Sequence, residues 1–250
     1  MIISSVDNNK IKEIRKLKQS KYSKEKKLFI VETEHLVKEA YNAGILKEVI
    51  KVDSNLNVYD VNETIVTSNV MKTLTTMPSI PSVIGICSYI EEKKELGDKI
   101  VILDNVQDPG NIGTIIRTAV AFNYNTIVLS LNSVNKYNEK VIRASQGMLF
   151  KINIIEKDLI KFIPELKAQG YDVYGTNVVN GINIKEVNKF NKHAFILGNE
   201  GNGVSKEVEN LVDKNIYIDI NENCESLNVG VAGAIIMYEM GKKYGIFKCR

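Results

Sequence analysis

Apolar and polar positions follow two patterns along the chain. Continuous apolar runs predict strands, and apolar residues at helical spacing predict helices. Continuous apolar runs such as KIVILD (99–104) and AFILG (194–198) predict strands that are buried on both faces, as in a parallel sheet. Helical spacing appears between such runs, and its clearest case is Leu227, Val231, Ala234, Ile235 and Tyr238, which predicts a helix with these residues on one buried face. Strands that alternate with helices predict an α/β fold with a mostly parallel sheet.

The same pattern places the individual elements and a domain boundary. The predicted strands are 28–32, 46–53, 63–68, 83–90, 99–104, 126–130, 151–155, 171–176, 194–198 and 215–220. The predicted helices are 34–44, one from about 112, 138–147, 157–169, 205–212 and 227–243. The charged stretch EEKKELGDK (91–99) has little to bury and predicts a linker. We therefore expect two domains, 1–95 and 96–250.

Composition narrows the class of protein. The chain has 250 residues, 44% hydrophobic and 25% charged, which is typical of a soluble globular protein. No apolar run approaches bilayer length, and the N-terminus lacks an apolar signal core, so we expect a cytoplasmic protein without membrane association. Three scattered cysteines and two histidines argue against a disulfide framework and a metal centre.

Charge is concentrated near the N-terminus although the net charge is only +3. Residues 10–27 are dominated by Lys and Arg, with Glu13 and Glu25 as the only acids. This pattern predicts either an RNA-binding surface or the solvated side of a helix whose apolar side is buried. The candidate RNA contacts are Lys10, Lys12, Arg15, Lys16, Lys18 and Lys21. The candidate buried residues are Ile11, Ile14 and Leu17.

Three loops at predicted strand ends carry the candidate chemistry, because ligands of open α/β sheets bind beyond the carboxyl ends of the strands. The first is LDNVQDPGNIGTIIRTA (103–119), in which a turn leads to Asn111 at the start of a helix that also carries Arg117. A helix N-terminus with an arginine suits a phosphate group. The alternative is an ordinary capped turn with a surface arginine.

The second loop is ILGNEGNGVS (196–205), which holds Gly198, Gly201 and Gly203 around Glu200. Its glycines do not have the spacing of a dinucleotide-binding fingerprint or a phosphate-binding loop. Several glycines at one strand end indicate a tight backbone or one that a ligand approaches closely. The alternative is a flexible turn before a helix that Ser205 caps.

The third loop is NENCESLN (221–228), which opens the last helix. Ser226 is the expected N-cap, because its hydroxyl can accept a bond from a free backbone N–H. Asn228 is then not needed for capping, and its amide is free to face a ligand. Together the three loops predict a site that positions its substrates through backbone contacts, one arginine, one glutamate and amides.

These three stretches together resemble the three motifs of the SpoU/TrmH family of RNA ribose 2′-O-methyltransferases, in the right order. The resemblance covers residues 99–243. It extends more loosely to FIVETEHLVKEAY (29–41), which is similar to the RNA-binding domain of ribosomal-RNA members. It implies an L30e-like α/β domain followed by an α/β-knot (SPOUT) domain, in which the C-terminal segment forms a deep trefoil knot.

The resemblance also implies the site. S-adenosylmethionine would be held by backbone and apolar groups at Gly198, Gly201, Ile218, Ile220 and Leu227, and no metal is implied. The family's polar positions fall on Asn111, Arg117, Glu200, Ser226 and Asn228. A ribose 2′-hydroxyl displaces the methyl group directly, which requires in-line positioning and an activated hydroxyl. A guanidinium is a poor base. Arg117 is therefore expected to orient the hydroxyl and clamp a phosphate, or to lose a proton only in the complex.

Partners follow from the same resemblance. Members are typically homodimers, and the basic N-terminal arm favours ribosomal RNA, 23S in particular, over tRNA; DNA is not expected. Other readings are a non-catalytic RNA-binding protein, a tRNA-directed enzyme and a resistance methyltransferase that modifies one ribosomal nucleotide. An oxidoreductase fits poorly, because the strand-glycine-helix fingerprint is absent.

The chain departs from the family pattern at a few positions. Asp219, Ile220 and Glu222 stand where members often have Pro, Met and Gly, which adds negative charge near the cofactor mouth. Thr33 stands where members commonly have Gly. Cys224, beside the third motif, is expected to be a neutral bystander.

Overall fold

A computed structural model describes residues 2–52, 59–177, 181–187 and 192–241. The strands are β1 (Ile2–Ile3), β2 (Leu28–Glu32), β3 (Leu46–Lys51), β4 (Asn62–Val66), β5 (Val83–Ser88), β6 (Lys99–Leu103), β7 (Thr126–Ser130), β8 (Asn153–Lys157), β9 (Asp172–Thr176), β10 (Gly181–Asn183), β11 (His193–Leu197) and β12 (Lys214–Tyr217). The helices are α1 (Asn9–Lys16), α2 (Ser20–Lys26), α3 (Glu34–Asn42), α4 (Ser68–Leu74), α5 (Pro109–Ala121), α6 (Glu139–Ser145), α7 (Leu159–Ala168), α8 (Lys206–Glu209) and α9 (Val229–Gly241).

The chain divides into two compact units. The first unit is the chain up to Glu91 together with Asn135–Lys151, and the second is Glu92–Val134 together with the chain from Ile152. The first unit therefore includes α6, which lies far along the chain from the rest of that unit. No pattern in the sequence predicted that residues 135–151 would join the first unit, and the domain boundary near residue 96 stays a prediction.

The first unit is built on a mixed five-stranded sheet with the order β1-β4-β3-β5-β2. The β1–β4 and β4–β3 pairs are parallel, and the β3–β5 and β5–β2 pairs are antiparallel. Helix α1 buries Ile11, Ile14 and the following Leu17 in the core of this unit, so the expected inward face is confirmed. Segment 135–151 is held partly by Tyr137, whose ring lies 4.6 Å from that of Phe29.

The second unit is built on a seven-stranded sheet with the order β10-β12-β9-β11-β6-β7-β8. All of its strand pairs are parallel. The central strands β6 and β11 are buried at every position, as their continuous apolar runs predicted. Helices α5 and α9 pack together, and Gly230 and Gly233 of α9 allow close contact with Thr114 and Ile115 of α5.

Several predicted elements differ from the structure at their ends. The strand predicted at 151–155 is β8, two residues later, because a short 3-10 turn occupies Met148–Phe150. The helix predicted at 205–212 is only the short α8, and β1, β10, α2 and α4 were not predicted. The predicted buried face of α9 is wrong, because Val231 is 48% and Tyr238 45% exposed, and because a helix that is apolar on nearly all sides does not show by spacing which side is buried. Residue 53 of one predicted strand and residues 242–243 of the last predicted helix lie outside the described residues. Across the described ranges, we find no helix with both the length and the apolar character that crossing a membrane demands.

Candidate active site

A cavity of about 570 Å³ lies where β9, β11 and β12 end in the second unit. This is the carboxyl edge of a parallel sheet, where such folds bind ligands. All of the predicted cofactor residues line it: Gly198, Gly201, Ile218, Ile220 and Leu227. Three of the predicted catalytic residues also line it: Glu200, Ser226 and Asn228. The cavity therefore brings the second and third loops together.

A chain of side-chain hydrogen bonds joins the first loop to the other two. The Asn228 amide donates from Nδ2 to Asn111 Oδ1 at 2.9 Å, and Asn111 Nδ2 donates to Glu200 Oε1 at 3.0 Å. The backbone N–H groups of Gln107 and Asp108 donate to the same Glu200 carboxylate at 3.2 and 3.0 Å. Residues far apart in sequence are thus fixed in one polar network.

The network sets the protonation of Glu200. Partial burial alone would raise the pKa of this carboxyl group. The hydrogen bond from Asn111 and those from the backbone N–H groups of Glu200, Asp108 and Gln107 outweigh burial, so the pKa lies below its ordinary value. Glu200 is therefore held as a carboxylate that accepts several bonds at once.

The capping prediction for the last helix is wrong. Helix α9 begins at Val229, and its cap is Asn228, whose Oδ1 accepts from the N–H groups of Gly230 at 2.9 Å and Val231 at 3.3 Å. Ser226 lies too early to cap and is exposed at the cavity instead. The Asn228 amide thus does two tasks, because its oxygen caps the helix while its nitrogen binds Asn111.

The glycine-rich loop closes on itself. Asn199 and Gly203 exchange two backbone hydrogen bonds of 2.9 Å, and Asn199 Oδ1 accepts from the N–H of Gly201 at 3.0 Å. A Cβ at Gly198 would lie 2.0 Å from the carbonyl carbon of Gly203, whereas one at Gly201 would meet only Asn199 Oδ1 at 3.7 Å. Gly198 is therefore required by the chain's own fold, and Gly201 leaves open space beside the cavity.

Asp104 was not predicted to be part of the site, although its side chain binds the last residue of this loop, Ser205. Asp104 is 2% exposed, and its carboxylate accepts from the backbone N–H of Ser205 at 2.8 Å and from Asn105 Nδ2 at 3.0 Å. Ser205 precedes α8, but its side chain makes no capping bond. Thr176 and Asn177 also line the cavity and were missed, although their place at a strand end was a usable signal.

Arg117 stands apart from the cavity. It lies on the exposed side of α5 and is not among the lining residues. Its guanidinium has no hydrogen-bond or ion-pair partner within the ranges that the structure describes. Cys224 is exposed, and its thiol donates to the carbonyl oxygen of Ser226 at 3.3 Å. In the same ranges, no three His, Cys, Asp or Glu side chains are grouped so as to hold a metal ion.

The six basic residues predicted to bind RNA fall into two groups in the first unit. Lys12 pairs with Asp7 at 3.1 Å and Lys16 with Glu13 at 2.7 Å, while Lys10 binds both Glu48 and Thr64. The side chains of the other three have no hydrogen-bond or ion-pair partner among the residues described: Arg15, Lys18 and Lys21. RNA contact by all six stays a prediction.

Comparison with known proteins gives two family matches. Residues 98–238 match the SpoU rRNA Methylase family, and residues 8–83 match the MRM3-like substrate binding domain. The 23S rRNA (guanosine(2553)-2′-O)-methyltransferase RlmP of Bacillus subtilis is 35% identical over 243 residues, which is 95% of this chain and 98% of that protein.

Solved structures agree with these matches. An rRNA methyltransferase from Sinorhizobium meliloti superposes with a TM-score of 0.86 at 26% identity, covering 96% of each chain. Its form with bound AdoMet (S-adenosylmethionine) gives the same score and identity, with 96% and 97% covered. The SpoU methyltransferase AviRb from Streptomyces viridochromogenes shares the fold at 18% identity and a TM-score of 0.85, covering 94% and 98%.

Proposed function

This chain belongs to the SpoU rRNA methylase family, and we propose on that premise that it methylates 23S ribosomal RNA. It is an S-adenosylmethionine-dependent RNA ribose 2′-O-methyltransferase with the SPOUT α/β fold. The proposed target is the position equivalent to guanosine 2553, because the similar Bacillus enzyme is named for that nucleotide and is matched over nearly its whole length. The trefoil knot that the family resemblance implies is part of this proposal.

The observation that carries the proposal is the network of Asn228, Asn111 and Glu200 at the edge of the cavity. A transfer that uses neither metal nor covalent intermediate depends on positioning, and positioning requires side chains fixed before the substrate arrives. The network provides such fixed side chains, because Asn228 is hydrogen-bonded to Asn111 and Asn111 to Glu200. Backbone N–H groups hold the Glu200 carboxylate further.

The cavity fits S-adenosylmethionine in size and chemistry. Its volume falls within the usual range for small-molecule sites of about 300–1,000 Å³. Leu197, Ile216 and Ile236 give it an apolar wall suited to an adenine ring, and the open space at Gly201 exposes backbone groups to a ligand. Gly198, Gly201, Ile218, Ile220 and Leu227 would hold the cofactor, which supplies a methyl group on a positively charged sulfur.

The remaining polar residues would handle the RNA. We assign to Arg117 the orientation of the 2′-hydroxyl and the contact with a neighbouring phosphate, because a planar guanidinium can bind both through fixed donors. Ser226 is exposed at the cavity, its hydroxyl has no hydrogen-bond partner among the described residues, and it would bind the ribose. Asn111, Glu200 and Asn228 would keep this arrangement rigid.

A homodimer is also part of the proposal. Helix α9 is apolar on nearly all sides, and its outer side leaves Val231 48% and Tyr238 45% exposed. A second copy would cover this face and place the site near the interface. In sedimentation equilibrium, Val231→Asp should yield a monomer. Ile160→Asp should remain a dimer, because Ile160 is equally exposed (46%) but lies on α7. A wild-type monomer would overturn the proposal.

An RNA substrate suits a cytoplasmic location, which we include in the proposal. The test is methyl transfer from labelled S-adenosylmethionine to unmodified 23S rRNA, with tRNA in parallel, followed by nuclease mapping. Label on the 2′-oxygen at the position equivalent to guanosine 2553 is expected. Label elsewhere in 23S rRNA would change the nucleotide only, and label on tRNA alone would overturn the substrate. Cofactor binding without label on either RNA would favour a non-catalytic RNA-binding protein.

A further inference from the structure

The first unit contains its own cavity of about 210 Å³, separate from the residues that line the cofactor site. Its walls come from the end of α1 and the start of α2, from β2, and from the segment that returns at Asn135. Ile30 and Tyr137 give it apolar and aromatic walls, and Lys18, Glu32 and Glu139 bring charge. None of these residues has a role in the proposed transfer beyond the general RNA contact predicted for Lys18.

Two charges in this cavity are left unsatisfied. Lys18 and Glu139 are each partly buried, yet the side chain of neither has a hydrogen-bond or ion-pair partner in the described part of the chain. Burial lowers the pKa of Lys18, and the nearby carboxylates of Glu32 and Glu139 oppose that shift. The cost here is the partial burial of the Lys18 ammonium group, which the nearby carboxylates offset without a direct bond, and a ligand that binds these groups directly can offset it further.

The third charged group is already oriented. Glu32 is 4% exposed, and its carboxylate accepts from Thr75 Oγ1 at 2.7 Å and from the backbone N–H of Thr76 at 3.3 Å. A carboxylate has about four acceptor positions, so these bonds leave capacity for another donor. Glu32 can therefore act as a fixed acceptor in the wall of the cavity.

Backbone strain beside the cavity is a second, independent observation. Thr33, which directly follows Glu32, has φ 91° and ψ 147°. This conformation is essentially restricted to glycine, and it is most costly for a β-branched residue. Such strain persists where the surrounding structure needs it, and it is concentrated at binding sites.

The chemistry of the cavity selects its ligand. Two carboxylates and one lysine would repel a phosphate, so the cavity does not bind the RNA backbone. A guanine edge carries an acceptor oxygen next to two N–H donors, which matches one lysine beside carboxylates. Proteins read unstacked RNA bases through such edges and through aromatic contacts. Tyr137 lines the cavity, but its ring is buried and already packs against the rings of Phe29 and Tyr89. We therefore assign recognition of the base to the edge contacts.

We propose that this cavity binds an unstacked guanine base of the RNA substrate, with Lys18 on its oxygen and Glu139 and Glu32 on its N–H groups. This base is distinct from the nucleotide that is methylated, because the cavity lies in the first unit and the cofactor residues lie in the second. The inference rests on the proposed function for the identity of the substrate as RNA.

The test measures binding of uridine heptamers that carry one central guanosine, adenosine or cytidine, with the all-uridine heptamer as reference. Fluorescence anisotropy should show wild-type protein preferring the guanosine heptamer by roughly tenfold, the size of one good base contact. Lys18→Met and Glu139→Gln should each remove most of this preference. The matched controls Lys38→Met and Glu165→Gln change exposed residues outside the cavity and should keep it.

Thermal unfolding followed by circular dichroism reports whether each variant is folded, because the substituted residues lie in the first unit and cofactor binding would report only on the second. Equal wild-type affinity for the four heptamers, or an unchanged preference in both cavity variants, would overturn the proposal. Guanosine selectivity in a protein that methylates no RNA would leave the cavity assignment standing and remove the proposed function. Methylation of 23S rRNA without guanosine selectivity would leave the proposed function standing and remove the cavity assignment.

Discussion

The polar side chains at the cavities of the two units differ in whether they are hydrogen-bonded to one another. In the second unit, the side chains of Asn228, Asn111 and Glu200 are bonded to one another before any ligand is bound. In the first unit, the side chains of Lys18 and Glu139 at the smaller cavity have no hydrogen-bond or ion-pair partners among the described residues, and Thr33, which follows the cavity residue Glu32, has a strained backbone.

The difference follows from what each site must do. A reaction that depends on geometry is faster when its catalytic groups are already in position, because no free energy is then needed to order them in the transition state. A site that only recognises a base binds it more tightly when its charged side chains pair with the ligand and are not already paired with each other. Rigid pairing is thus the feature of the proposed catalytic site, and unpaired charged side chains with backbone strain are the features of the proposed recognition site.

The largest effect should come from the glycine loop of the second unit. Gly198→Ala places a Cβ against the backbone at Gly203 and Val204, so we expect a loss of about 3 kcal/mol or more in unfolding free energy and loss of cofactor binding. Gly201→Ala is the matched control and should fold, since its Cβ has room. Urea denaturation measures both. Equal stability of the two variants would contradict the rigid loop.

The next largest effect concerns Arg117. Arg117→Lys keeps the charge but loses the planar fork, so we expect kcat for methyl transfer to fall by about 100-fold, the cost of a misplaced reactant. Cofactor affinity should not change, because Arg117 does not line the cofactor cavity. Single-turnover kinetics and calorimetry measure the two quantities. Full turnover by this variant would show that the geometry of the guanidinium has no role.

The strain in the first unit predicts a smaller and opposite change. Thr33→Gly should raise the unfolding free energy by about 1 kcal/mol, because relief of roughly 1–3 kcal/mol of strain exceeds the greater flexibility of glycine in the unfolded chain. The control Thr33→Ala keeps the Cβ and loses the Thr33 hydroxyl that accepts from the Leu36 N–H at the start of α3, so it should be less stable than wild type. If the strain serves the cavity, Thr33→Gly should also weaken the guanosine preference. A destabilised glycine variant would mean that no strain is stored there.

The smallest effect is the pH dependence of Glu200. Its folded pKa lies below the ordinary value of 4.5, so its contribution to stability is complete above pH 4.5 and is lost as pH falls through the folded pKa. The thermal unfolding midpoints of wild type and Glu200→Gln should therefore converge in acid. The effect is small, because the carboxylate is largely exposed. Glu207→Gln, on the exposed side of α8, should run parallel to wild type throughout.

Local pattern was sufficient for much of the fold and of the site. The parallel sheet was predicted from the apolar runs of β6 and β11 and from the alternation of strands and helices. A strand that is buried on both faces consists almost entirely of apolar residues, which the sequence shows directly. The resemblance of the three loops gave the family and the cavity-lining residues. These features depend on neighbours within a few residues, which a sequence displays.

Tertiary structure alone decided the rest. The return of Asn135–Lys151 to the first unit, the capping of α9 by Asn228 and the support of the glycine loop by Asp104 all depend on contacts between distant residues. The smaller cavity combines Lys18, Glu32 and Glu139 in the same way. Sequence spacing carries no record of such contacts, because they are selected by the free energy of the packed chain and not by local conformational preference.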